Sequence, residues 1–322
     1  MDTQDFLIDS DTAGIRLHVR NKRTAAGGEA VLLMHGATYS SESLFDVPLG
    51  GFSFMDYLAR HGYDVYAVDA RGYGGSTRPP DGDQPVGRTE SGLRDLGAAV
   101  DFVLARRGVE RLNLVAMSWG GSVAGAYATR HGDKVAKLAL IAPLWLSDRP
   151  LPVDPGGALG AYRQVLVHQA RERWVGAAPP AKRDGLIPAG WFEAWAAASL
   201  KTDPDSDGAT MRAVNGPIQD IRDHWTAGRP LYDPAEIAVP VLQVHAEWDI
   251  DVTLDTARDF FGRLTAAPYR RWVEIGEGTH MVLMEKNRLQ AFDAVRRFLD
   301  EDYAPEASRR SAGCDRSDRI SA

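Results

Sequence analysis

Residues 112–122 read LNLVAMSWGGS. An apolar run over 112–117 leads straight into Ser118, Trp119, Gly120 and Gly121, and helical character begins at Ser122. The pattern is strand, sharp turn, helix, with Ala116 and Gly120 two positions to either side of Ser118. A hydroxyl lifted clear of a sheet on so tight a turn needs small neighbours, because the strand and helix backbones must nearly touch. The helix N-terminus behind the turn also favours negative charge developing there. A serine between small residues caps many helices as well, so the string takes its meaning from what surrounds it.

Working outward, short apolar runs recur at 31–34, 65–68, 138–141, 241–244 and 271–275, with helical stretches at 55–61, 92–107, 122–131, 253–264 and 287–300. Runs that are apolar on both faces fit a buried parallel sheet, and strands spaced by helices indicate βαβ units. A hairpin is expected ahead of them, from 6–8 and 15–19 with a turn over 11–14. In the last helix Leu289, Phe292, Val295 and Phe298 recur at a spacing of three and define one apolar face. The spacing of strands fails over 144–232, a stretch too long for a crossover and carrying Trp145, Trp174, Trp191, Trp195 and Trp225. It is expected to be a helical cap inserted over the carboxyl edge of a sheet formed by 1–143 and 233–302. Residues 303–322, rich in Ser, Arg, Asp and Ala, are expected to be a disordered tail.

The bulk numbers are those of an ordinary globular chain: 322 residues, 44% hydrophobic and 25% charged. A net charge of -7 disfavours nucleic acid and anionic membrane surfaces as partners. The single Cys314 leaves no intrachain disulfide or cysteine metal site. No secretory leader is read at the start, and no run nears the roughly 18 apolar residues of a membrane span. A cytoplasmic protein acting on a small molecule is the expectation; oligomeric state is not legible.

A serine nucleophile is inert without a base. Of the eight histidines, His280 is the best placed, in the loop GEGTH (276–280) after the last strand; His61, His131, His168 and His224 read as surface or packing residues. The base needs an orienting carboxylate. The segment HAEWDID (245–251) puts acids after the preceding strand, and Asp249 is chosen over Asp251, Glu247 and the more distant Asp148. Two amide donors must meet the oxyanion. They are assigned to the N–H groups of Trp119 and of Ala37, the latter after the strand that ends in His35-Gly36.

Together LLMHGAT (32–38), DARGYGGS (69–76), AMSWGG (116–121), AEWD (246–249) and GEGTH (276–280) resemble, in order and position, the α/β-hydrolase fold superfamily. The resemblance implies a mostly parallel eight-stranded sheet and an inserted helical cap after the sixth strand. It further implies Ser118 as nucleophile, Asp249 as acid, His280 as base, and 69–76 as a structural turn beside the site. Serine at 118 sets the chain apart from epoxide hydrolases and haloalkane dehalogenases, which use a carboxylate nucleophile. HGATY (35–39) departs from the HGGPG loop of the proline iminopeptidases, to which the SWG string bears some likeness.

The expected activity is hydrolysis of a carboxylic ester of a mostly apolar or aromatic small molecule through an acyl-enzyme. The rivals are an amidase or iminopeptidase, a thioesterase and a C–C bond hydrolase on the same triad, and, from another class, a non-catalytic binding protein. Substrate contacts are assigned to His35, Thr38, Trp145, Trp191, Trp195 and Met281, with Arg163, Arg171, Arg222 and Asp220 as sources of a polar contact. No cofactor and no metal is expected. DPDSDG (203–208) mimics half a calcium loop, but its twelfth position is Val214. GYGG (72–75) lacks the third spaced glycine of a dinucleotide fingerprint.

Overall fold

The structure is a computed structural model that describes residues 1–24 and 28–303. The expected tail, from 304 on, lies outside them, as does Cys314. Ten strands follow one another: β1 (Asp2–Asp9), β2 (Arg16–Arg23), β3 (Ala30–Met34), β4 (Asp64–Val68), β5 (Leu112–Met117), β6 (Val135–Ile141), β7 (Tyr162–Leu166), β8 (Thr210–Val214), β9 (Val241–Ala246) and β10 (Arg270–Ile275). The α-helices among them are α1 (Ser41–Phe45), α2 (Phe54–Arg60), α3 (Thr89–Arg107), α4 (Trp119–Arg130), α5 (Gln169–Ala177), α6 (Trp191–Lys201), α7 (Gly216–Asp220), α8 (Leu254–Arg263) and α9 (Arg288–Asp300). No helix among the described residues is long and apolar enough to cross a membrane.

Eight strands form one sheet in the order β1-β2-β4-β3-β5-β6-β9-β10. β1 and β2 form an antiparallel hairpin, β2 runs antiparallel to β4, and the six strands β3, β4, β5, β6, β9 and β10 run parallel to one another, so their carboxyl ends share one edge. Strands β3, β4 and β5 are buried at every residue, which is why they read as unbroken apolar runs. Alternate residues feed opposite faces. Leu32, Leu114, Ala116 and Leu138 pack with Leu96 and Val100 of α3, Val123 of α4 and Phe260 of α8. Val31, Leu33, Val115, Met117 and Val244 pack with Met55 and Leu58 of α2 and with Phe292, Val295 and Phe298 of α9. The α9 stripe differs from its expected form: Leu289 is 49% exposed, and Ala291 and Leu299 take the buried positions. A helix face follows i, i+3, i+4 and i+7 rather than a strict three.

Residues 144–232 leave the sheet between β6 and β9. Besides α5, α6 and α7 they hold a second, two-stranded antiparallel sheet, β7–β8, with Val165 opposite Met211. The expectation of a purely helical insertion is therefore corrected. The ribbon is short and half-exposed, so its apolar alternation is weak. It is tied to the core by the Tyr162 hydroxyl, which donates to Pro79 O at 2.5 Å, and by Ala161 N–H on Gly82 O at 2.7 Å.

Candidate active site

Ser118 sits between β5 and α4 at φ 57°, ψ −123°, a conformation that an L residue adopts only when its surroundings impose it. The surroundings are on hand. Ser118 N–H donates to Ile141 O at 2.9 Å, and Ser118 O accepts from Gly121 N–H at 2.8 Å and Leu144 N–H at 3.2 Å. A Cβ on Gly120 would lie 2.3 Å from His35 O and 2.6 Å from Met34 O, and one on Gly121 would lie 2.7 Å from Pro143 Cβ. The small residues are thus required by backbone proximity. The other non-glycine residues at positive φ, Ala142 and Glu277, also follow parallel strands, β6 and β10.

His280, in the loop after β10, places Nδ1 at 2.8 Å from Asp249 Oδ2. Because a carboxylate only accepts, Nδ1 carries the proton and Nε2 is left as the basic nitrogen. Asp249 is itself held, its Oδ1 accepting the amides of Asp251 and Val252, each at 2.9 Å. Burial by itself would lower the His280 pKa, but Asp249 and Asp251 outweigh it and hold it above 6.5. Of the rival acids, Glu247 accepts from Glu277 N–H and Asp148 is exposed beside Arg149. Asp251 lies on the far side of the ring, its Oδ2 at 4.0 Å from Nε2.

The amide of Trp119 is the first of α4, one of the four that a helix leaves without an intrahelical partner. Its indole turns into the core, Nε1 donating to Thr89 Oγ1 at 2.9 Å. Ala37 is positioned through His35. His35 Nε2 accepts from Ala70 N–H at 3.0 Å, so Nδ1 is the protonated nitrogen and donates to Gly36 O at 2.8 Å. Across a trans peptide the Ala37 N–H points opposite that carbonyl, away from the His35 ring. Burial lowers the His35 pKa and keeps it neutral. Gly36 packs against Ser118: a Cβ there would stand 3.2 Å from Ser118 Cβ.

A family model described as the alpha/beta hydrolase fold matches residues 29–172. Solved structures agree over nearly the whole chain. A serine hydrolase from the polyaromatic hydrocarbon-degrading bacterium Cycloclasticus zankles superposes with a TM-score of 0.65 at 17% identity, over 93% of this chain and 98% of that one. The enol-lactonase of Burkholderia xenovorans does so with 0.60 at 19%, over 92% and 100%. The chain has the α/β-hydrolase fold. Among curated relatives, a 2-hydroxy-6-oxononadienedioate/2-hydroxy-6-oxononatrienedioate hydrolase of Paraburkholderia phymatum is 33% identical over 129 residues, 40% of this chain and 41% of that protein. Epoxide hydrolase A of Mycobacterium tuberculosis is 34% identical over 132 residues, 41% and 36% respectively. The matches thus span less than half the length of these relatives.

As in an α/β-hydrolase, the carboxyl edge of the sheet opens into a cleft, here of about 770 Å³ and partly open to solvent. Ser118, His280, Ala37, Thr38 and Met281 line it together with Leu144, Trp174 and Ile221 of the insertion. Four of the expected substrate contacts do not. His35 is fully buried. Trp145 packs with Trp225, Tyr232 and Phe260 and donates to Asp259 at 2.8 Å. Trp191 lies over the Arg288 guanidinium at 4.5 Å. Trp195 is fully buried behind Tyr39 and Trp174 and donates to Ser43 O at 3.1 Å. Large rings in a small insertion are consumed in building and docking it.

Of the polar residues considered for the cleft, Arg222 pairs with Asp154, and Asp220 accepts from Arg88. Arg163 reaches the loop after β3, donating to Ala37 O at 3.1 Å and Thr38 Oγ1 at 2.9 Å. Three residues escaped sequence reading. Arg173 of α5 lines the cleft and pairs with Asp251. Tyr39 also lines it. Glu285 accepts both the N–H and the hydroxyl of Thr279, next to the base. Each stood at an unremarkable position, and no spacing signals a partner as far away in the chain as Asp251 is from Arg173.

Asp249, Asp251 and His280 bring donor atoms within 4.8 Å of one another. Asp249 Oδ2 is engaged by the imidazole and Asp251 Oδ2 by the Arg173 guanidinium. The turn 69–76 is built on Asp69, whose carboxylate accepts from Ser41, His18 and Gly75. In the calcium-like loop Asp203 is held by Arg212 and Arg78.

Proposed function

We propose that the chain is a serine hydrolase that cleaves a carboxylic ester of a mostly apolar small molecule through an acyl-enzyme on Ser118. The observation that carries this reading is the meeting, in one cleft, of the Ser118 elbow with an imidazole whose Nδ1 is held by a buried carboxylate. In this reading Ser118 Oγ attacks the ester carbonyl while His280 Nε2 takes its proton. Asp249 holds the tautomer and balances the imidazolium. The oxyanion rests on the amides of Ala37 and Trp119. As the tetrahedral intermediate collapses, the imidazolium protonates the leaving alkoxide and the alcohol departs. A water, deprotonated by His280, then releases the acid and restores the serine.

Leu44, Met117, Leu151, Val153 and Ile221 give the cleft an apolar lining, which supports an apolar acyl or alcohol part. A serine at the elbow supports acyl transfer over the carboxylate chemistry of epoxide hydrolases. A second reading, cleavage of a carbon–carbon bond on the same three residues, is favoured by the names of the Paraburkholderia protein and its kin. The test is a fluorophosphonate probe with a panel of nitrophenyl esters and a vinylogous diketone. Ser118→Ala is expected to abolish labelling and to lower ester turnover by about 10⁶-fold. Full turnover in that variant overturns the proposal, and turnover of the diketone alone selects the second reading.

A further inference from the structure

His280 is bracketed by two carboxylates. Asp249 Oδ2 stands 2.8 Å from Nδ1 and Asp251 Oδ2 4.0 Å from Nε2, the nitrogen that must be unprotonated to accept a proton from serine. Two uncompensated anions around a buried imidazole favour imidazolium, which is useless as a base. Asp249 is needed to set the tautomer; Asp251 is not, yet it is buried and lines the cleft. Its Oδ2, the atom nearest Nε2, is also the atom that accepts from Arg173 Nη2. Its Oδ1 is buried with no hydrogen-bond partner among the described residues. Arg173 is therefore the cation that balances Asp251, and it is supplied by α5 of the insertion.

Resting on the hydrolase reading above, we propose that Arg173 offsets the charge of Asp251 and so limits the pull of the two carboxylates toward imidazolium, leaving Nε2 of His280 available as a base. Arg173 is then a positioning residue, acting through Asp251, and the docked insertion completes the electrostatics of a triad carried by the sheet edge. The other charged or titratable groups facing this cluster are accounted for. Tyr39 on the oxyanion loop is pushed up to about 12 by burial and stays neutral. His245 on β9 is lowered by burial and stays neutral. Arg163 on β7 is bonded to the carbonyls of Ala37 and Val214 and to Thr38. Glu285, raised to about 7 by burial, is bonded to Thr279; it is common to every variant below and cancels in their comparison.

The experiment reads His280 ionisation in the full chain by ¹⁵N NMR of the imidazole, and in parallel the acid limb of the kcat/KM profile for an ester, which reports the free enzyme. Arg173→Gln is expected to raise the His280 pKa by at least about one unit, because Asp251 is left unbalanced. Asp251→Asn is expected to lower it, because Arg173 is left unbalanced. The double variant returns near the wild-type value, and Arg173→Lys holds it. Shifts of both single variants in the same direction, or no shift in either, overturn the proposal. Should Arg173→Gln not fold, the downward shift in Asp251→Asn decides alone. The NMR titration needs no turnover, so loss of the hydrolase reading would appear as absent activity with the opposed shifts intact.

Discussion

The sheet edge and the insertion that covers it place side chains in the cleft by different means. At the edge, each functional group stands at the end of a parallel strand, and backbone geometry alone delivers it: Ser118 after β5, Asp249 after β9, His280 after β10. The insertion has no such frame. Its four tryptophans other than Trp174 sit in packing layers, its apolar share of the cleft wall comes from residues such as Leu144, Trp174 and Ile221, and its long polar side chains Arg173 and Arg163 cross to Asp251 and to the loop of Ala37 and Thr38. Substitutions at the edge should therefore act on the chemical step, and substitutions in the insertion on ionisation, specificity and stability.

Asp249→Asn presses hardest on that contrast. The asparagine Oδ1 can still accept the amides of Asp251 and Val252, while its NH₂ faces His280 and imposes the wrong tautomer. A loss in kcat of about 10⁴-fold is expected, with the thermal midpoint nearly kept. An equal loss in Asp251→Asn would erase the distinction between the two acids.

Glu285 tests the base loop through pH. Burial raises its carboxyl from 4.5 to about 7, so the folded state prefers the protonated form. The stability this gives is complete below pH 4.5 and is lost as pH rises through 7, a fall on the order of 3 kcal/mol. Denaturant unfolding of wild type and Glu285→Gln across that window should show the fall only in the former.

Gly120→Ala sharpens the role of backbone proximity. Its Cβ meets carbonyl oxygens of Met34 and His35 rather than mobile side chains, so the elbow must shift. A loss of about 1–3 kcal/mol in stability is expected, together with turnover. Trp145→Phe is the mildest. It removes the indole donor to Asp259 at about 1 kcal/mol and should leave KM unchanged, whereas Trp174→Phe, on the cleft wall, should change preference among ester chain lengths.

The core and the triad candidates were legible because period and spacing record local rules. A strand buried on both faces must be apolar throughout, and an elbow must have small residues at Ala116 and Gly120. The choice of Asp249 over Asp251 could be guessed from order but was decided by direction: one carboxylate faces Nδ1, the other Nε2. His35, expected to touch substrate, lies buried away from the cleft, since sequence does not say on which side of a loop a ring lies. Its imidazole holds the Gly36–Ala37 peptide through the Gly36 carbonyl.

What the sequence determined by itself is the sheet, the turn that carries Ser118 and the order of the groups at the sheet edge. These depend on contacts between near neighbours and on the periodicity of burial. What only the tertiary structure decided is the company of His280, above all the Arg173 guanidinium on Asp251. Such a pair leaves no trace in spacing, because two charges far apart in the chain meet only when the insertion folds back over the sheet and water is removed from between them.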